Sequence, residues 1–210
     1  MRKARILNSD SIMDFSLYTH CVLLAYNEEV RKQCPAFSCG NTELDKFFEK
    51  DAENYAVEML GKSYCWVTDD EQKQIVAIFT VSNDSIKTKD LLSSSKNKLQ
   101  RHINNLKRGR SYPAVLIGRF AVNKLFQGNG YKIGSQTMNF IKSWLIEPDD
   151  KTACRFLVVD AYNKESVLSF YLSNNFLPLF KTEEEEKAFY HISTEEQLHT
   201  RLLYFDLKIR

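Results

Sequence analysis

"AVNKLFQGNGYKIG", residues 121–134, decides how the rest of this sequence is read. The chain has 7 glycines, and Gly128, Gly130 and Gly134 stand together here. The stretch before it, "PAVLIGRFAV" (113–122), is apolar and partly β-branched, which predicts a buried strand. The stretch after it predicts a helix running to about Ile146. Ile133, Met138, Ile141 and Leu145, joined by Phe140 and Trp144, give that helix one wide inward face. Glycines between a strand and a helix mean that the backbone approaches something closely or takes φ values that other residues resist.

Three chemistries fit such a turn. A dinucleotide fingerprint needs G-x-G-x-x-G; Gly128 and Gly130 supply its start, but the next glycine position falls on Ile133. A nucleotide P-loop needs a glycine five residues before G-K-[ST]. The only such run, Gly61–Ser63, has Ala56 at that place, within a helical stripe. The third is a strand–turn–helix whose backbone amides bind a pyrophosphate at the helix N-terminus. Gln127 would open that turn. Gly128 and Gly130 would remove the Cβ atoms that block phosphate oxygens, and the helix dipole would add about half a positive charge. A glycine turn that merely connects two elements is the plain alternative.

Outward from the turn, strands alternate with helices. "HCVLLAYNE" near the start reads as a strand. Leu44, Phe47, Phe48, Ala52, Tyr55, Ala56 and Met59 form one amphipathic helical stripe, with Thr42 as N-cap, Asp45 in the first turn and Gly61 as C′ residue. Ser63–Asp70 and Gln74–Ile86 read as two strands around a turn. Residues 87–112 are polar, basic and poorly periodic, and predict a long loop with one short helix around Leu99–Leu106. Beyond the glycine turn and its helix come the strand "CRFLVVDAY", a helix opened by Asn163 as N-cap, the short strand "FLPLF", an acidic solvated insertion at 181–198 and the closing strand "RLLYFDLKI". The expected fold class is α/β, a mixed sheet flanked by helices, in a single domain spanning 1–210.

The 210 residues are 43% hydrophobic, enough for one domain with a real core. No apolar run approaches the roughly 18 residues that span a bilayer, and the basic N-terminus lacks the apolar region of a secretory signal. The 5 cysteines are scattered; Cys34 and Cys39 are close, but no second Cys/His pair completes a metal-ligand pattern. A reduced, cytoplasmic chain without a metal or a membrane is the expectation. Net charge is only +2, but it is unevenly spread. From Leu91 to Ile146 there is no Asp or Glu. Lys96, Lys98, Arg101, Lys107, Arg108, Arg110, Arg119, Lys124, Lys132 and Lys142 make that segment +10, which leaves −8 for the remainder. Clustered cations of this kind raise the local concentration of a polyanion or a phosphate-bearing ligand; the alternative is an ordinary solvated basic surface.

"LIGRFAVNKLFQGNGYKIGSQTMNFI" is similar to the acetyl-CoA-binding strand, turn and helix of the GNAT superfamily of N-acetyltransferases, whose pattern is Arg/Gln-x-x-Gly-x-Gly/Ala. Gln127 and Gly130 fit it. The final small position falls on Lys132, whose amide can still donate to phosphate and whose side chain can reach another. "VVDAYNKESVLSFYLSNNF" resembles the later strand and helix of the family, with Asn175 standing where a glycine is usual. The resemblance covers Cys21–Phe180. Together with "FSCGNTELDKFFEKDA" and "VAIFTVSNDSI", it narrows to the GNAT toxins of bacterial toxin–antitoxin pairs, which acetylate the α-amino group of aminoacyl-tRNA.

The resemblance implies acetyl-CoA as cosubstrate, no metal, an amine acceptor such as aminoacyl-tRNA, a small antitoxin partner and a homodimeric state. It assigns the backbone of Phe120, Ala121 and Val122 to the pantetheine arm, and Gln127, Gly128, Asn129, Gly130, Tyr131 and Lys132 to the pyrophosphate. Asn163 would bond a pantetheine amide, or cap its helix. Tyr171 is the candidate general acid that protonates coenzyme A sulfur, or else a core aromatic. Asp84 reads as an ammonium contact or a turn residue. His102, His191 and His199 sit in no motif, and no base is evident. Acetylation of a protein or small-molecule amine, and a non-catalytic coenzyme-A- or RNA-binding module, are the competing functions.

Overall fold

The computed structural model describes residues 15–89, 91–148 and 153–208; the basic N-terminal stretch lies outside them. In chain order the elements are α1 (Leu17–His20), β1 (Cys21–Ala25), α2 (Glu28–Gln33), α3 (Thr42–Lys46), α4 (Ala52–Val57), β2 (Lys62–Thr68), β3 (Ile75–Lys87), α5 (Ser93–Gln100), β4 (Ser111–Val122), α6 (Ile133–Trp144), β5 (Phe156–Tyr162), α7 (Glu165–Ser173), β6 (Leu177–Pro178), α8 (Glu183–Tyr190) and β7 (Thr200–Asp206). The strands form one mixed, mostly antiparallel sheet in the order β1-β2-β3-β4-β5-β7-β6. This is the α/β class the sequence predicts. β4 and β5 are parallel, in register from Ala114↔Phe156 to Leu116↔Val158. β5 keeps its antiparallel partner β7 along its whole length.

The chain divides into two compact units, Met1–Val81 with Arg119–Ile141 and Ser82–Gly118 with Lys142–Arg210. In the first, Phe47, Phe48 and Ala52 pack with Cys65, Ile75 and Ile78, while Ile133 of α6 packs with Leu17, Trp66 and Val76. In the second, Leu99, Tyr112, Phe156, Phe180 and Tyr204 make the core.

Four sequence expectations change in form. The single helix over 44–59 is α3, a π-helical turn at Phe47–Asp51, and α4. The widened turn accompanies two adjacent rings, Phe47 and Phe48, both buried and edge-to-face at 5.3 Å. Its N-cap is Asn41, not Thr42, because the Asn41 carboxamide accepts from the amides of both Glu43 and Leu44. Its exit is not at Gly61: the left-handed residue is Met59, with φ 55, and Gly61 instead lets the chain pass close to Thr80 and Val81. The long loop over 87–112 is shortened from both sides by β3 and β4 and holds α5, which starts well before Leu99. Its run "SSSKNKLQ" has one apolar residue, too few to register as a stripe, yet Ser95, Leu99 and Gln100 are buried.

The acidic insertion is also more than a solvated loop. Thr182 caps α8 by accepting from the Glu185 amide, and four glutamates sit where the helix dipole favours them. One of them turns inward. Glu186 is 1% exposed, accepts from Arg201 Nε at 2.5 Å and from the Leu202 amide at 2.6 Å, and so ties α8 to β7.

Candidate functional site

The glycine turn lies in the first unit. β4 ends at Val122, a 3₁₀ turn spans Lys124–Phe126, and the chain reaches α6 at Ile133. Gly128, Gly130 and Lys132 take φ of +67, +83 and +52, while Asn129 and Tyr131 between them do not enter the left-handed region. Alternating handedness of this kind turns successive N–H groups toward one concave side, a shape suited to anions. A Cβ at Gly128 or Gly130 would meet no protein atom within 4 Å, so the space they leave open faces outward. The first helical N–H groups of α6 have no intrahelical acceptor; Gln136 N is the first to bond back, to Lys132 O at 3.0 Å. Its dipole and these amides point at the same place as the turn.

Side chains hold the turn in shape. Gln127 donates through Nε2 to Val122 O at 2.6 Å and to Cys39 O at 2.9 Å, so its carboxamide braces the loop. Asn129 accepts from the Tyr131 amide and donates to Leu125 O. Gln136 donates to Tyr131 O at 2.7 Å and accepts from the Leu17 amide at 2.8 Å. The Tyr131 ring packs against Phe15 at 5.1 Å. Upstream, Phe120, Ala121 and Val122 close β4; Ala121 is buried, and the β4–β5 register has already ended at Leu116. The carbonyl of Val122 is engaged by Gln127.

Tyr171 and Asn163 belong to the second unit. Asn163 is not the N-cap of α7; that residue is Lys164, which makes no side-chain cap. The Asn163 carboxamide instead donates to Glu183 Oε1 at 3.0 Å and Leu198 O at 2.9 Å, drawn to the acidic helix that the sequence reads as solvent-facing. Tyr171 is 6% exposed and packs edge-to-face on Phe170 and Phe176. Burial holds its phenol well above the ordinary tyrosine value, so it carries its proton at neutral pH. Asn175, left-handed at φ 63, turns the chain out of α7 as its substitution for glycine requires.

Two groups in this unit, Asp160 and Lys142, were not singled out by sequence as site residues. Asp160 is a lone acid in the otherwise apolar β5. Partial burial, then the neighbouring Asp84 carboxylate, raises its affinity for a proton; Tyr190 is pushed up to about 12 by burial and by Asp160, Glu186 and Asp84. Asp84 is thus on β3, facing Asp160 electrostatically, not in a turn. Lys142 donates to Asn174 O at 2.5 Å and lies 4.1 Å from the Phe205 ring centre and 5.3 Å from that of Phe176. Burial pushes its ammonium down to about 8. An acid within an apolar strand and a lysine on an apolar helix face are the signals that could have found them. Among the described residues, no group of His, Cys, Asp and Glu could hold a metal ion.

No protein-family model matches the sequence, and no curated protein matches it. Solved structures do. A tyrosine-to-phenylalanine variant of KacT aligns with a TM-score of 0.60 at 18% identity, over 90% of this chain and 96% of its own. AtaT complexed with acetyl-methionyl-tRNAfMet gives 0.59 at 19% identity, over 90% and 95%. A tyrosine-to-phenylalanine variant of the AtaT toxin, bound to the C-terminus of the antitoxin AtaR and acetyl-CoA, gives 0.57 at 16%, over 90% and 94%. At such identities the likeness establishes the fold, and the fold is the GNAT one that the sequence resembles.

Proposed function

We propose that this chain is an acetyl-CoA-dependent N-acetyltransferase whose acceptor is the α-amine of an aminoacyl-tRNA. The observation that carries the reading is the turn from Gln127 to Lys132, left-handed at alternate residues, open where Cβ atoms would stand and placed at the head of α6. Its amides hold the pyrophosphate, while Phe120, Ala121 and Val122 present backbone to the pantetheine arm.

The chemistry needs few groups. The amine nitrogen attacks the thioester carbonyl carbon, a C–N bond forms and the C–S bond breaks. Tyr171 gives its phenolic proton to the departing sulfur. The low basicity of an aminoacyl ester amine lets it arrive neutral, and Asp160, with Asp84 beside it, takes the one proton that the nitrogen sheds once the C–N bond has formed. Among the structural neighbours, AtaT is complexed with an acetylated aminoacyl-tRNA, and an AtaT variant with acetyl-CoA and antitoxin. These support the acceptor, the cosubstrate and an antitoxin partner here. No helix among the described residues is long and apolar enough to cross a membrane, and action on tRNA in the cytoplasm, as a homodimer, completes the reading.

The test is to incubate the protein with labelled acetyl-CoA and charged tRNA, then hydrolyse the ester and identify the labelled product. N-acetyl-amino acid is expected. Label recovered only on protein lysines or small amines would move the acceptor elsewhere; binding without transfer to any amine would leave a coenzyme-A-binding module.

A further inference from the structure

The second unit holds a pocket of about 570 Å³ between α5 and the Leu177–Lys181 segment. It includes neither the turn after Gln127 nor Tyr171, so the inference drawn from it stands apart from the transfer chemistry. Its size lies within the roughly 300–1,000 Å³ of small-molecule sites and is much larger than a single phosphate needs.

The lining has two parts. Leu177, 47% exposed, and half-buried Pro178 make an accessible apolar floor, backed by Leu99, Leu179 and Phe180, which are almost wholly buried. Lys98, Arg101, His102 and Lys181 stand around it. The one carboxylate in the lining, Asp206, is already held by Arg155 at 2.6 Å. The nearby Glu185 is occupied by Ser95 at 2.7 Å and by the Lys181 amide at 2.9 Å. Arg101 has no carboxylate partner among the described residues. Lys98 is fixed in place by donating to Pro178 O at 2.8 Å, and burial followed by the like charge of Arg101 lowers its affinity for a proton. Glu185 is the one carboxylate that acts on Lys98, and it faces three cations of the lining, Lys98, Arg101 and Lys181, which leaves a surplus of positive charge there. An anion would relieve that repulsion with charge-assisted hydrogen bonds. An apolar, flat group attached to it would cover the floor.

We infer that this pocket binds a nucleoside phosphate, its phosphate against Lys98 and Arg101 and its base on the floor of Leu177 and Pro178. The nucleotide is either free or one unit of an RNA strand, and the chemistry of recognition is the same.

The experiment titrates the full chain with AMP, with adenosine and with a single-stranded RNA hexamer. AMP is expected to bind and adenosine far more weakly. Arg101→Gln, at an exposed position, and Lys98→Met should each weaken AMP by about tenfold or more. Lys96→Gln, on α5 but outside the pocket, should leave it unchanged, as should acetyl-CoA affinity in all three variants. Equal affinity for AMP and the hexamer assigns a free nucleotide. Tighter, equally variant-sensitive binding of the hexamer assigns a unit of RNA. The inference is overturned if neither ligand binds at millimolar concentration, if Arg101→Gln binds AMP like the parent, or if acetyl-CoA affinity falls alongside, since the pocket would then serve the cofactor. Melting curves identify any variant that fails to fold, and Arg101→Gln alone decides the matter should Lys98→Met do so.

Discussion

Tyr171 shows what one side chain can be asked to do. Its ring is core, wedged between Phe170 and Phe176, and in the proposed chemistry its hydroxyl alone acts. Tyr171→Phe keeps the ring and is expected to fold and bind acetyl-CoA like the parent, with turnover lower by about 100- to 10,000-fold; steady-state rates on a verified acceptor check this. Lys142 makes a pH prediction. Its folded pKa of about 8 lies below the ordinary lysine value, so at alkaline pH the unfolded chain binds a proton that the folded chain has shed. Stability contributed by this residue therefore rises as pH climbs through 8 toward 10. The melting temperature of the parent minus that of Lys142→Met should increase between pH 7.5 and 9.5, and a flat difference would place the lysine in solvent. Gln127, Gly128 and Gly130 were legible because glycine and a carboxamide mark a turn by chemistry alone. Lys132 in the left-handed region and Asn163 bound to Glu183 were not, because both depend on a partner or a backbone angle that no local pattern encodes.

At the scale of elements, the hydrophobic stripes predicted most strands and the helix after the turn, while α5 was expected too late in the chain and α8 escaped. Both helices bury polar residues, and burial of Ser95, Gln100 or Glu186 leaves no trace in apolar periodicity. The α8 case is testable. Removing one partner of a buried ion pair strands the other, at a cost of about 3–5 kcal/mol. Glu186→Ala should lose stability of that order in denaturant titration, whereas Glu184→Ala, on the same acidic run, should leave the midpoint nearly unchanged. Similar midpoints for the two would mean that α8 is the solvated insertion its composition suggests. The N-cap supplies a smaller handle: Thr182→Ala should cost about 1 kcal/mol.

At the scale of the molecule, order of elements was readable because each strand and helix announces its own period. The acid-free segment from Leu91 to Ile146 is a molecular property too, spread over α5, β4, the turn and α6. Lys107, Arg108 and Arg110 are exposed. If they dock the tRNA backbone, each neutralised phosphate releases about 0.7 to 0.9 counterions, and affinity for tRNA falls steeply with salt. Reversing all three to Glu should weaken tRNA binding and flatten that slope while acetyl-CoA affinity holds; a salt series on both ligands checks it, and unchanged tRNA binding would return the segment to an ordinary solvated surface. The central claim is that the turn from Gln127 to Lys132 holds the pyrophosphate of acetyl-CoA, and calorimetric titration of acetyl-CoA into the parent and Gly130→Val tests it most directly. No protein atom fills the space beside Gly130, so a valine there meets the ligand and the +83° backbone angle, not the core. The expected result is one-to-one binding in the parent and none in a variant that still melts cooperatively; no heat from the parent, or equal affinity in the two, would contradict it.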